Sequence, residues 1–244
     1  MTDIQVTAAM LAIGDELLSG RTKDKNIGHL ATMLTAVGIE LREVRIVADD
    51  EPAIVDALNA LRPKYDYIFT SGCIGPTHDD ITADAISKAF GLPCEHDAKA
   101  MKLLGDSYAA RNVEFNEARK RMARMPRGAT HIENRVSTAP GFIMENVHVM
   151  AGVPSVFEAM VDAVLPSLRT GVKLLSHSIQ CQYGEGKIGT PLTEIQKAHP
   201  NTIIGSYPRM SDTGFSVEIV VRSKDQEALD AATAAVEKMI ADLA

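Results

Sequence analysis

The sequence predicts an α/β protein: a doubly wound, mainly parallel sheet followed by a small C-terminal α+β module. Two observations lead there. From residue 7 onward, short apolar runs alternate with amphipathic stretches, the pattern of strand–helix–strand units around a parallel sheet. After "TGV", residues 170 to 172, the order changes to strand, helix, strand, strand, helix. The expected domains are therefore 1–170 and 171–244.

"TAAMLAIG" is the first expected strand. In "NIGHLATMLTAVG", Ile27, Leu30, Leu34 and Val37 recur at helical spacing, with Asp24 near the start and Gly38 as a stop. "IELREVRIV" supplies the next strand. "DDEPAIVDALNALRP" reads as a helix capped by Asp50, with Pro52 in its first turn and Pro63 beyond its end. "DYIFTS" is a third strand, and a helix from Thr82 to Phe90 buries Ala85, Ile86, Ala89 and Phe90. The stretch from Asp97 to Met125 reads as helical with a break near Asn112. "THIEN", "GFIM" and "VHVMAG" read as strands, the last two joined by a tight turn at Glu145 and Asn146. The helix "PSVFEAMVDAVLPSLR" closes the first domain, and "RMSDTG" signals a hairpin in the second.

The chain has 244 residues, 45% hydrophobic and 23% charged, which excludes disordered and fibrous classes. Its net charge of -7 argues against a nucleic-acid coat protein. Residues 172 to 244 hold seven Lys or Arg against nine Asp or Glu, so neither half is basic. Cys73, Cys94 and Cys181 are widely spaced and form no C-x-x-C pair, which suggests neither a disulfide framework nor a zinc site. The N-terminus, with Asp3 and only a short apolar run, lacks the regions of a signal peptide. No stretch approaches the roughly 18 apolar residues of a membrane span. A cytoplasmic setting is expected, without membrane or nucleic-acid partners.

In an open parallel sheet, ligands bind beyond the carboxyl ends of the strands, where loops enter helix N-termini. Three such loops carry acids here: "GDELLSG" with Asp15 and Glu16, "ADDE" with Asp49, and "SGCIGPTHDD" with Asp79 and Asp80. Asp49, Asp50, Asp79 and Asp80 also sit where helix-capping residues belong. Together, beside glycines that let a backbone approach closely, they suggest a divalent cation, with Mg²⁺ the natural candidate because it pairs carboxylates with substrate phosphates. Thr77 and Thr82 could donate to phosphate oxygens or cap the helix; His78 could serve as acid, base or ligand, or stand idle. "STAPG" and "AGVPS" are two further small-residue turns, the second entering a helix through Pro154. Arg119, Lys120, Arg121 and Arg124 form either a solvated helix face or a source of positive charge for a polyphosphate. "GKIG", residues 186 to 189, has the outline of a nucleic-acid-clamping G-x-x-G loop, but the module's negative charge and lack of clustered aromatics speak against that use.

"GDELLSGRTKDKN", "DDEPAI", "GPTHDDIT", "STAPGF" and "AGVPS", in that order and spacing, resemble the MoaB/Mog-type molybdopterin-binding domain found in the competence/damage-inducible protein A (CinA) family. The likeness covers about residues 7 to 169. "GPTHDDIT" also resembles the corresponding domain of eukaryotic FAD synthases, and the C-terminal module resembles the KH-like domain that comes next in CinA proteins. The resemblance implies a pterin or nucleotide phosphate as ligand, a molybdopterin-like molecule included, and a homo-oligomer, dimer or trimer. It further implies metal-dependent hydrolysis of a dinucleotide-type pyrophosphate such as ADP-ribose or FAD; a non-catalytic binding protein and a Mog-type molybdopterin adenylyltransferase are the alternatives.

Carried over by motif, Asp80, Asp49 and Asp15 are the expected catalytic residues. Asp15, Glu16, Asp79 and Asp80 are the expected metal ligands. Gly72, Cys73, Gly75, Thr77, His78, Thr82, Ser137, Gly141, Gly152 and Pro154 are the expected ligand contacts. Longer CinA proteins continue into a nicotinamide-nucleotide amidohydrolase domain, so that activity is expected to be absent. The chain departs from the pattern at Ser71, at Ser137 and Ala151, and above all at Cys73, which replaces a glycine; a position needing φ > 0 would be strained by it.

Overall fold

The computed structural model describes residues 5 to 211 and 214 to 243. Two compact units emerge, Met1–Gly171 and Val172–Ala244.

The first unit runs β1 (Val6–Ile13), α1 (Asp15–Leu18), α2 (Asn26–Ala36), β2 (Ile39–Val47), α3 (Glu51–Leu61), β3 (Tyr67–Ser71), α4 (Thr82–Ala89), β4 (Cys94–His96), α5 (Ala98–Ala110), α6 (Glu117–Lys120), β5 (Arg124–Pro126), β6 (Thr130–Ile132), β7 (Gly141–Met144), β8 (Val147–Met150) and α7 (Pro154–Val164). Six strands form one sheet in the order β2-β1-β3-β8-β7-β6. β1 pairs in parallel with β2 and β3, and β3 with β8; β7 and β6 add an antiparallel edge. This is the doubly wound, mainly parallel sheet that the alternating pattern predicts.

β1 shows why its sequence reads as one continuous apolar run. Val6, Ala8 and Met10 face the layer of Leu30, Leu34, Phe157 and Val161 from α2 and α7, while Ala9, Leu11 and Ile13 face Ile54, Leu58, Ile86 and Leu104 from α3, α4 and α5. A strand covered on both faces has no polar side to alternate. Buried anchors such as Phe69, Phe142 and Phe157 each contribute about 2 to 3 kcal/mol of transfer free energy. The chain leaves β1 for β2 on one side and reaches β3 on the other, so the strand order reverses beside β1 and opens a crevice where those strands end.

Two local expectations need correction. The stretch from Asp97 to Met125 is helical only to Ala110; Asn112, at φ 53°, ends it as expected, but the chain then forms a short helix and the strand β5, paired with β4 in a separate two-stranded sheet. "GDELLSG" forms the single helical turn α1 instead of an open loop.

The second unit runs β9 (Leu175–Cys181), α8 (Glu185–Ala198), β10 (Ile203–Ser211), β11 (Gly214–Ser223) and α9 (Gln226–Asp242), with an antiparallel sheet in the order β10-β11-β9. Val217, Ile219, Val221 and Cys181 pack on Ile188 of α8 and on Leu229, Ala232 and Val236 of α9. The expected hairpin joins β10 to β11, although residues 212 and 213 of "RMSDTG" lie outside the described residues. "GKIG" lies in the first turns of α8 and is helical, so it is no G-x-x-G loop. Among the described residues no helix is long and apolar enough to cross a membrane.

Candidate functional site

A cleft of about 410 Å³ opens at the carboxyl ends of β1, β2, β3 and β8. Its lining includes Glu16, Asp49, Gly72, Cys73, Gly75, Asp79, Asp80, Ser137 and Gly152. Four acidic residues line it, and no Lys or Arg among the described residues does.

The loop after β3 is shaped by its glycines. Gly72 has φ 120°, and a Cβ there would lie 2.1 Å from the Ile13 carbonyl oxygen. Its N–H donates to the Met150 carbonyl at 3.2 Å, and a Cβ on Gly152 would stand 3.2 Å from Gly72 Cα. Two loops thus meet backbone to backbone at the floor of the cleft. Cys73 has φ 52°, in the left-handed region that a side chain enters at a cost of about 1 to 2 kcal/mol. The strain expected of this substitution is present.

Asp80 organises the next turn. Its Oδ1 accepts from the Gly75 N–H at 2.6 Å, and its Oδ2 accepts from the Thr77 N–H at 2.7 Å and from the Thr77 hydroxyl. The carboxylate expected to be catalytic is therefore engaged by its own loop, as a turn-closing acid is. Thr77 is exposed, and its N–H and hydroxyl both donate to Asp80. Thr82 is fully buried, and its hydroxyl donates to the Gly72 carbonyl at 3.1 Å, bracing the loop from beneath. His78 points into solvent, its side chain 99% exposed. Gly141 is buried at the start of β7, where a Cβ would strike the Val149 carbonyl. Pro154 starts α7 outside the cleft wall.

The acids on the first two loops interlock. The Asp15 N–H donates to Asp49 Oδ2 at 3.1 Å and the Asp49 N–H to Asp15 Oδ1 at 3.4 Å. Asp15 stands outside the cleft lining, whereas Asp49 and Glu16 belong to it. Asp50 takes the capping role, accepting from the Ala53 N–H at 3.0 Å. Among the described residues no three His, Cys, Asp or Glu side chains are gathered so as to hold a metal ion, so Asp15, Glu16, Asp79 and Asp80 do not form the set expected of them. The reason is local: Asp15 is turned to Asp49 and Asp80 into its own loop. Glu16 and Asp49 suit a cation that brings phosphate oxygens to complete its shell, as Mg²⁺ does.

Cys73 joins these loops. Its thiol donates to Asp49 Oδ1 at 2.6 Å. Burial, that hydrogen bond and the charges of Asp49, Asp80 and Glu16 push the thiol well above the usual cysteine range, so it is protonated at neutral pH.

The basic run divides. Lys120 pairs with Glu117 at 2.5 Å, Arg119 lies over the Tyr108 ring, and Arg124 grips Asp84 in a bidentate pair. Arg121 donates to the Asp80 carbonyl at 3.2 Å from behind the loop. None of the four lines the cleft.

Two site residues carry no role in the sequence reading. Asn134, at the end of the expected strand "THIEN", folds the 134–139 turn over its carboxamide: Oδ1 accepts from the N–H groups of Val136 and Ser137, and Nδ2 donates to Ser137 Oγ and the Ala139 carbonyl. The signal available is an Asn three residues before Ser, the spacing of a side-chain-closed turn. Asn26 starts a helix and ends the motif "GDELLSGRTKDKN", with no role assigned to it there, yet it is buried beneath the cleft.

Residues 9–170 match the family described as "Probable molybdopterin binding domain", and residues 173–243 match "FAD synthase, middle domain". A protein of Pyrobaculum calidifontis is 32% identical over 96% of this chain and 94% of its own length. A CinA-like protein of Myxococcus xanthus is 30% identical over 93% of this chain, which spans 57% of that longer relative. The crystal structure of CinA from Thermoplasma acidophilum, a protein whose function is unknown, superposes with a TM-score of 0.63 at 30% identity over 67% of this chain and 98% of that one.

Proposed function

This chain belongs to the molybdopterin-binding domain family of MoaB/Mog-like and CinA-like proteins, and we propose that its cleft binds a phosphate-bearing pterin or nucleotide and hydrolyses a dinucleotide-type pyrophosphate with the help of a divalent cation. One observation supports this most: a cleft floored by the abutting Gly72 and Gly152, lined by four acidic residues and by no basic side chain among the described residues. Such a cleft repels a pyrophosphate unless a cation accompanies it. A divalent ion would neutralise the charge that develops on the phosphates and acidify a bound water.

The chain's residues would divide the remaining work. Backbone at Gly72 and Gly152 lets the ligand approach, Asp80 fixes the turn beyond Gly75, and Asp49 and Glu16 present carboxylates at the wall. Glu16, whose carboxylate lines the cleft, is placed to accept the proton of the attacking water. Water adds to one phosphorus, the bridging P–O bond breaks, and two phosphomonoesters leave. ADP-ribose and FAD are the substrates to try, with Mg²⁺, Mn²⁺ and Co²⁺ in turn; loss of turnover on removing the cation is expected, and no turnover with any pairing would sink the proposal.

The bond from Cys73 to Asp49 favours a second reading, a binding protein without chemistry, since it occupies one oxygen of the cation-bearing acid. In that case AMP or a pterin phosphate raises the melting temperature and no product forms.

A further inference from the structure

Asn26 opens α2, and the ordinary use of an asparagine there would be to cap the helix. The first turn is served by Asp24, just outside the helix, whose Oδ1 accepts from the Ile27 N–H at 2.8 Å. The Asn26 side chain turns inward instead and is 4% exposed. Its Nδ2 donates to Ser71 Oγ at 2.7 Å, at the end of β3, and to the Gly152 carbonyl at 2.8 Å, in the loop after β8. Those two segments frame the cleft floor, where Gly72 and Gly152 touch. The cost of this arrangement is visible: Oδ1 of the same side chain is buried with no hydrogen-bond partner among the described residues, a loss of about 1 to 3 kcal/mol for an unsatisfied acceptor.

We propose that Asn26 is a positioning residue, a clasp reaching from α2 to hold the two glycine loops at the separation the ligand requires. Both amide hydrogens are committed to that task, one to each loop. The consequence for ligand binding rests on the function proposed above; the clasp itself does not.

Asn26→Asp keeps the shape, removes both donors and sets a carboxylate against the Gly152 carbonyl. In the full-length chain without ligand, amide hydrogen exchange at residues 72–74 and 152–153 is expected to quicken about tenfold, with exchange in the α2 amides from Leu30 to Ala36 unchanged. Ser71→Ala, which removes one bond and leaves the helix start intact, should loosen residues 72–74 more than 152–153. Unchanged exchange at either loop in Asn26→Asp would overturn the clasp, as would uniform loosening of the whole domain. With ADP-ribose and Mg²⁺, KM should rise on the order of tenfold with kcat nearly kept, because the bonds hold the loops equally in ground and transition states; a fall in kcat alone would refute the positioning role. A wild-type chain inert to ADP-ribose and FAD would instead count against the proposed function, and the exchange data would still decide the clasp.

Discussion

The Cys73 thiol donates to Asp49 Oδ1 at 2.6 Å, across the tops of two strands. The pairing joins a residue held at φ 52° to an acid that lines the cleft. Glycine at position 73 would adopt this backbone freely and free Asp49 Oδ1, leaving Oδ2 with the Asp15 N–H. Relief of about 1 to 2 kcal/mol of backbone strain is offset in part by the packing lost when the half-buried side chain goes and by the greater freedom of the unfolded chain. Cys73→Gly should therefore leave the melting temperature within a few degrees while raising cation-dependent turnover, whereas Cys73→Ser keeps both the strain and a donor and should change neither. Equal activity in all three would show that Asp49 bears no cation.

The same bond predicts an unreactive thiol. A thiolate is the nucleophile in alkylation, and Cys73 is held protonated by burial and by the acids around it. Residue-resolved iodoacetamide labelling near pH 8 should find Cys73 far slower than a free cysteine. Asp49→Asn removes a negative neighbour, and labelling of Cys73 should then accelerate. Rapid labelling of Cys73 in the native protein under those conditions would contradict the geometry.

Asp80→Asn tests whether that acid organises or reacts. Asp80 accepts two backbone N–H groups and a hydroxyl; asparagine would turn an NH₂ group on at least one of those donors. A local cost of about 1 to 3 kcal/mol is expected. The loop from Gly75 to Thr77 should lose its shape, and thermal shift by AMP should vanish along with turnover. Retained ligand binding with lost turnover would instead return Asp80 to the chemistry.

How far the sequence speaks depends on what each residue answers to. The apolar run of β1 announces a two-sided core because alternate residues are buried on each face, and Asp50 and Cys73 are legible because capping and positive φ are local demands. Thr82 and Asp80 stand in the right motif, but their directions are set by partners inside the loop, which sequence spacing does not show. Asn26 reaches Ser71 and Gly152, 45 and 126 residues away, and a contact at that separation leaves no periodic trace. β4 and β5 are invisible to a periodicity argument because three-residue strands are too short to show alternation.

His148 makes acid sensitivity a property of the core. Its ring stacks on Phe69 at 5.1 Å and meets Tyr67 edge-on at 5.7 Å, with Nδ1 buried and unpartnered among the described residues. Burial lowers its pKa from 6.5 to about 4. The fold therefore holds it neutral while the unfolded chain protonates first. Stability is full above about pH 6.5 and is lost as pH falls toward 4, by about 3 kcal/mol in all. Burial alone would raise Asp66 and Asp97, but hydrogen bonds, from Thr7 to the one and from Ala100 and His131 to the other, hold both below their usual range, so their contribution is lost only below about pH 4. Urea melts taken from pH 7 to pH 4 therefore read the His148 window apart from that of the two carboxylates. His148→Phe keeps an aromatic ring against Phe69 and should flatten that slope, whatever constant cost the larger ring adds. An unchanged slope would place the acid sensitivity elsewhere.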